Sequence, residues 1–161
     1  MIDRITDAIG RAVAWLLVAM VAATLAVVVL RYALNQGSIL LQDTALYLHG
    51  IVFMLGIPYA LKQDAHVRVD LLYSRLGPRS RATINLVGHL LFLVPVSVTI
   101  LVYSHTYVAN SWRILERSPE VGGLPAVFLL KTLIPLMAVL LLLQGLAEVV
   151  RCIAILRDRR G

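Results

Sequence analysis

The chain has 161 residues, of which 60% are hydrophobic and only 15% charged, and its formal charge is +6. A water-soluble domain of this size keeps too much surface to hide that share of apolar side chains, so the solvent for most of it must be lipid. The segments between apolar stretches are too short for a separate soluble domain, and the placement of the basic residues accounts for the charge without nucleic acid.

The first apolar stretch covers residues 12–30, behind Arg4 and Arg11. It runs for 19 residues, and its leader contains Asp3 and Asp7; it is too long and too acidic at the front for a cleaved signal peptide. Ala19 with Ala23, and Ala22 with Ala26, make two small-xxx-small pairs of the kind that let a second helix approach closely. Arg31 and Tyr32 then mark an exit at the membrane interface.

The second stretch covers 44–61, with Asp43 at its entrance. Beyond it, Val69, Leu72, Tyr73 and Leu76 recur at helical spacing, while Arg68, Asp70, Ser74 and Arg75 lie elsewhere. That pattern predicts a short amphipathic helix over about 67–76, lying flat in the headgroup region and ended by Gly77 and Pro78. Val67 and Leu71 break the pattern on its polar side and imply cover by a protein partner.

The third stretch, 83–108, would be about 39 Å long as a helix and must tilt, kink or protrude. Pro95 is the expected kink, and Tyr103, Tyr107 and Trp112 supply an aromatic belt at its far end. The fourth stretch is taken as 125–150, with Pro125 in a first-turn position. Lys131 then falls about 9 Å inside and is a candidate intramembrane polar contact, its long stem able to reach outward.

Of the 15 Lys and Arg residues, 11 fall in the three segments that share one membrane face: the start, the connector after the second stretch, and the end of the chain. By the positive-inside rule that face is cytoplasmic, which predicts a multi-pass membrane protein with both termini in the cytoplasm. The lone Cys152, beside Arg151, excludes an intrachain disulfide and offers a native thiol on the cytoplasmic side.

Four histidines raise the possibility of a b-type cytochrome anchor. In a regular helix, however, His89 and His105 point about 160° apart, and stacked haems need both inward. His66 falls beyond Lys62, Gln63 and Asp64, outside the hydrocarbon, and His49, like the others, is expected to be a packing or interfacial residue. No acid stands at a bilayer centre, where a small homo-oligomeric exporter would need one; Glu148 is expected to pair with Arg151. Nucleophile, metal-spacing and phosphate-loop motifs are absent, so neither enzymatic activity nor a cofactor is expected.

The run from Phe53 to Leu61, FMLGIPYAL, followed by His66-Val67-Arg68-Val69-Asp70, resembles the small membrane subunit (DctQ-like) of tripartite ATP-independent periplasmic (TRAP) transporters. So do Arg31-Tyr32, and Gly123-Leu124-Pro125 followed by Lys131 and Ile134-Pro135. The similarity extends over about 31–151, although Leu41, Gln42 and Asp43 stand where many relatives have a Trp and paired acids.

The resemblance implies an all-α, four-span bundle with one interfacial helix, acting as a non-catalytic scaffold. Its partners would be a large multispanning permease subunit, which moves an organic anion with sodium, and a periplasmic solute-binding protein. The outer loops supply candidate docking residues for the binding protein: Arg31, Asp43, Arg113, Glu116, Arg117 and Glu120. His66, Arg68, Val69, Asp70, Leu72, Tyr73 and Leu76 are candidates for the interfacial helix and the large-subunit contact.

Overall fold

The computed structural model describes residues 2–65 and 76–158. They form four helices: α1 (Ile2–Tyr32), α2 (Ile39–Lys62), α3 (Pro78–Arg113) and α4 (Val127–Arg157). All four are long and apolar enough to cross a membrane, and no strand occurs among the described residues. Apart from Leu76, the amphipathic segment expected over 67–76 lies outside the described residues.

Each helix outruns its apolar stretch, because backbone hydrogen bonding continues where the side chains become polar. Only α4 starts later than expected: Ala126 is its N-cap, and its carbonyl receives the Leu129 and Leu130 N–H groups. Pro125 therefore precedes the helix and does not occupy its first turn.

The ends are set by local chemistry. Ser38 caps α2, its hydroxyl accepting the Leu41 N–H at 3.3 Å. Asn35, in the left-handed region, closes α1 by letting the Gln36 N–H reach back to the Leu30 carbonyl at 2.9 Å. At the end of α3 the left-handed position falls on Leu115 (φ 45°), a residue that pays a steric penalty there. The same turn sends the Glu116 N–H to the Ser111 carbonyl at 3.0 Å and reverses the chain.

The expected irregularity in α3 takes a specific form. A π-turn spans His89–Leu93, and the Val94 N–H bonds the His89 carbonyl, immediately before Pro95 removes a donor from the ladder. Gly145 on α4 leaves the space into which the Leu93 side chain packs.

The helices do not close into a bundle. In space they follow the order α1, α2, α4, α3: α2 packs between α1 and α4, α4 packs against α3, and α1 reaches α4 only weakly. In lipid, apolar faces need no cover, so nothing forces the row to close. The most enclosed of the four apolar segments, in α4, has only 22% of its residues buried within the chain. At the α3–α4 seam small polar residues recur every seven positions, with Ser97, Ser104 and Ser111 all buried. On α1, Ala23 and Ala26 are half-buried while Ala19 and Ala22 are exposed, so each small-xxx-small pair is only half used within the chain.

Candidate functional site

Polar contacts gather at the two ends of the row. One end carries the start of α1 and the finish of α4, and is called the terminal end; the other carries the loops after α1 and α3, and is called the loop end.

At the loop end, the turn at Leu115 brings Glu116 back beneath the helix ends, where its Oε2 lies 2.5 Å from Lys131 Nζ. The ammonium also sits 4.1 Å from the centre of the Tyr107 ring, so an α4 cation is held by a loop carboxylate and an α3 aromatic face. The Lys131 contact holds the Glu116 carboxyl below the usual carboxylate range and keeps it charged at neutral pH. Trp112 donates from Nε1 to Thr132 Oγ1 at 2.9 Å and meets Phe128 edge-on, closing the same α3–α4 corner. On the other side of the loop, Asp43 Oδ2 of α2 accepts the Leu124 N–H at 2.9 Å, and the Ser118 N–H reaches the Leu124 carbonyl at 3.2 Å.

Gly123 makes that anchorage possible. A Cβ there would lie 2.5 Å from Asp43 Oδ2 and would also collide with the Ser118 hydroxyl. Gly123→Ala is therefore expected to break the Asp43–Leu124 bond at a cost of about 1 to 3 kcal/mol. Hydrogen exchange at the Leu124 amide should accelerate about tenfold; unchanged protection would show that the loop does not depend on this contact.

At the terminal end, Gln144 of α4 is completely buried and joins α4 to the start of α1. Its Oε1 accepts the Thr6 hydroxyl at 2.9 Å; its Nε2 donates to Glu148 Oε1 at 2.9 Å and toward Asp3 Oδ1 at 3.4 Å. Arg151 bridges the same two acids, with Nη1 at 2.6 Å from Glu148 and Nη2 at 2.5 Å from Asp3. Lys62 of α2 pairs with Asp7 and donates to the Asp3 carbonyl at 3.3 Å, and Arg79 of α3 donates to the Asp158 carbonyl at 2.7 Å. All four helices are thus fastened at this end through α1 and α4.

Of the residues singled out from sequence, Asp43, Glu116 and Lys131 are brought into the loop-end contacts, whereas Arg31, Arg113, Arg117 and Glu120 are exposed. Arg31, at the end of α1, lies at the opposite edge of the row from Arg113 and Arg117. Leu76 is half-buried beside a cavity of about 460 Å³ at the terminal end. His66, Arg68, Val69, Asp70, Leu72 and Tyr73 lie outside the described residues. The Glu148–Arg151 pair forms as expected. Cys152 is buried, which removes it as a thiol probe.

His49, His89 and His105 line three different cavities. The π-turn alters the register on which their angular separation was reckoned, yet it does not bring them together. His49 stacks on Phe53, with ring centres 6.3 Å apart. Among the described residues no group of three or more His, Cys, Asp or Glu side chains is placed to hold a metal ion.

Sequence reasoning missed Gln144, the hub of the terminal end. Its signal was present: a lone amide after four leucines, one helical turn ahead of Glu148. It also missed Thr6, since a threonine ahead of the apolar stretch carries no mark of the helix it will meet.

Fold and contacts together define a multi-pass membrane protein in which charged side chains near both ends fasten its helices and loops to one another. The family model described as "Tripartite ATP-independent periplasmic transporters, DctQ component" matches residues 20–154, and the chain belongs to that family. It is a small permease subunit of a TRAP transporter. Comparisons with curated proteins and with solved structures returned no match.

Proposed function

We propose that the chain is a non-catalytic scaffold for the large permease subunit and contributes to docking of the periplasmic solute-binding protein. The observation that carries this reading is the use made of its charges. Lys62, Lys131, Asp3, Asp7, Glu116 and Arg151 all join one helix or loop of the chain to another near its two ends. A carrier of its own would need charged or polar groups converging at mid-membrane on a path for the solute. The open row supports the same reading, because it leaves broad apolar faces for lipid and for the large subunit.

On this reading the solute is an organic anion moved with sodium by the large subunit. The terminal end is cytoplasmic, the loop end is periplasmic, and the membrane is the inner membrane. The segment over 67–76 would contribute to the large-subunit contact.

Two measurements test this. With Cys152 replaced by Ser, single cysteines at Val121, which is 92% exposed, and at Ala154, also exposed, report the two ends. An impermeant thiol reagent should label Val121→Cys once the outer membrane is permeabilised, and Ala154→Cys only after the inner membrane is opened. The reverse pattern would invert the topology. Uptake by proteoliposomes should need this chain, the large subunit and the binding protein together; full uptake without this chain would remove its proposed role.

A further inference from the structure

The internal contacts decide which charges the loop-end surface displays. From sequence, the loop after α3 offers acids and bases alike. Folded, the Glu116 carboxylate is turned onto Lys131, and the Asp43 carboxylate is turned onto the Leu124 backbone. Arg113 and Arg117 make no ion pair among the described residues and are exposed, with Glu120 as the one exposed acid of that loop. Between these charges the same loop presents Ile114, Leu115 and Val121, which are 72%, 56% and 92% exposed. The loop is thus two-sided. Glu116, Ser118 and Leu124 face inward and hold it to the helix ends, whereas the Arg pair and the apolar side chains face away.

We infer that residues 113–121 form a basic, apolar-centred docking surface for an acidic patch on the soluble binding protein. This deepens the docking role proposed above and rests on it. Several features argue for a protein partner. A held loop loses little conformational freedom on binding. An apolar centre with a charged rim is the usual anatomy of a protein interface. Leu115 keeps its strained backbone in the turn that both displays Ile114 and returns Glu116 to its anchor. The excess positive charge selects an acidic surface and acts chiefly on the rate of encounter.

The test uses the assembled complex of this chain with the large subunit, in nanodiscs of phosphatidylcholine alone, and the purified binding protein of the same transporter. Arg113→Glu with Arg117→Glu should slow association about tenfold or more at low ionic strength, and the difference should shrink as salt is raised. Glu120→Lys should speed it. Val121→Ser should act on dissociation, because it removes apolar contact without changing charge.

An association rate indifferent to the double reversal at every salt concentration, with the complex intact and wild-type uptake normal, overturns this surface while leaving the scaffold reading in place. A wild-type chain that fails to assemble with the large subunit overturns the scaffold reading, and this surface falls with it. If the double reversal alters only retention in vesicles containing phosphatidylglycerol, the arginines serve lipid headgroups and the inference is wrong.

Discussion

Gln144→Glu is expected to be the most damaging single substitution of similar size at the terminal end. The amide donates to Glu148 at 2.9 Å and toward Asp3 at 3.4 Å, so a carboxylate there would put a third negative charge against two others in a fully buried position. Arg151 is already shared between those two acids and cannot neutralise a third. An uncompensated buried charge of this kind costs about 3 to 5 kcal/mol. Gln144→Leu should cost less, about 1 to 2 kcal/mol, because Asp3 and Glu148 keep Arg151 and only the Thr6 and amide bonds are lost.

Thermal unfolding of the detergent-purified protein separates the two variants: the Glu variant should unfold well below the Leu variant. Equal losses for the two would mean that the acids around Gln144 are not close enough to repel a carboxylate.

The α1–α2 interface should depend on Gly10 almost as strongly. Gly10 is buried, and any Cβ there would penetrate the ring of Tyr59 on α2. Those ring atoms belong to a rigid group between two helices, so the helices must separate or the ring must leave its place. In isolation Gly→Ala favours a helix by roughly 1 kcal/mol, but overpacking of this kind costs about 1 to 3 kcal/mol. The net effect of Gly10→Ala is expected to be a loss of stability. It should turn to a gain when Tyr59→Ala makes room, because the propensity term then acts alone. A double-mutant cycle on unfolding midpoints measures this coupling; additive effects would show that Gly10 and Tyr59 do not meet.

Much of the architecture was legible because lipid simplifies the problem. A chain that must satisfy its backbone within each spanning segment has only the helix available, so four long apolar runs imply four helices. The order of short motifs along the four spans pointed to the TRAP small subunit, a family that the match over 20–154 establishes. The Glu148–Arg151 pair was equally accessible, since three residues on one helix are neighbours wherever that helix packs.

What could not be read concerns groups far apart in the chain. Thr6 and Gln144 are separated by 138 positions, and Asp43 and Leu124 by 81. Nothing local at either member announces the other. Glu116 looked like free negative charge for a partner until the left-handed turn at Leu115 returned it to Lys131. The order of packing was likewise undetermined, because lipid rewards apolar faces equally whether the helices close into a bundle or remain a row. Sequence by itself thus determined the number, type and apolar character of the helices, through local hydrogen bonding and solvent. Tertiary structure alone decided which charges are consumed inside the chain and which remain on its surface, because that depends on which helix ends come together.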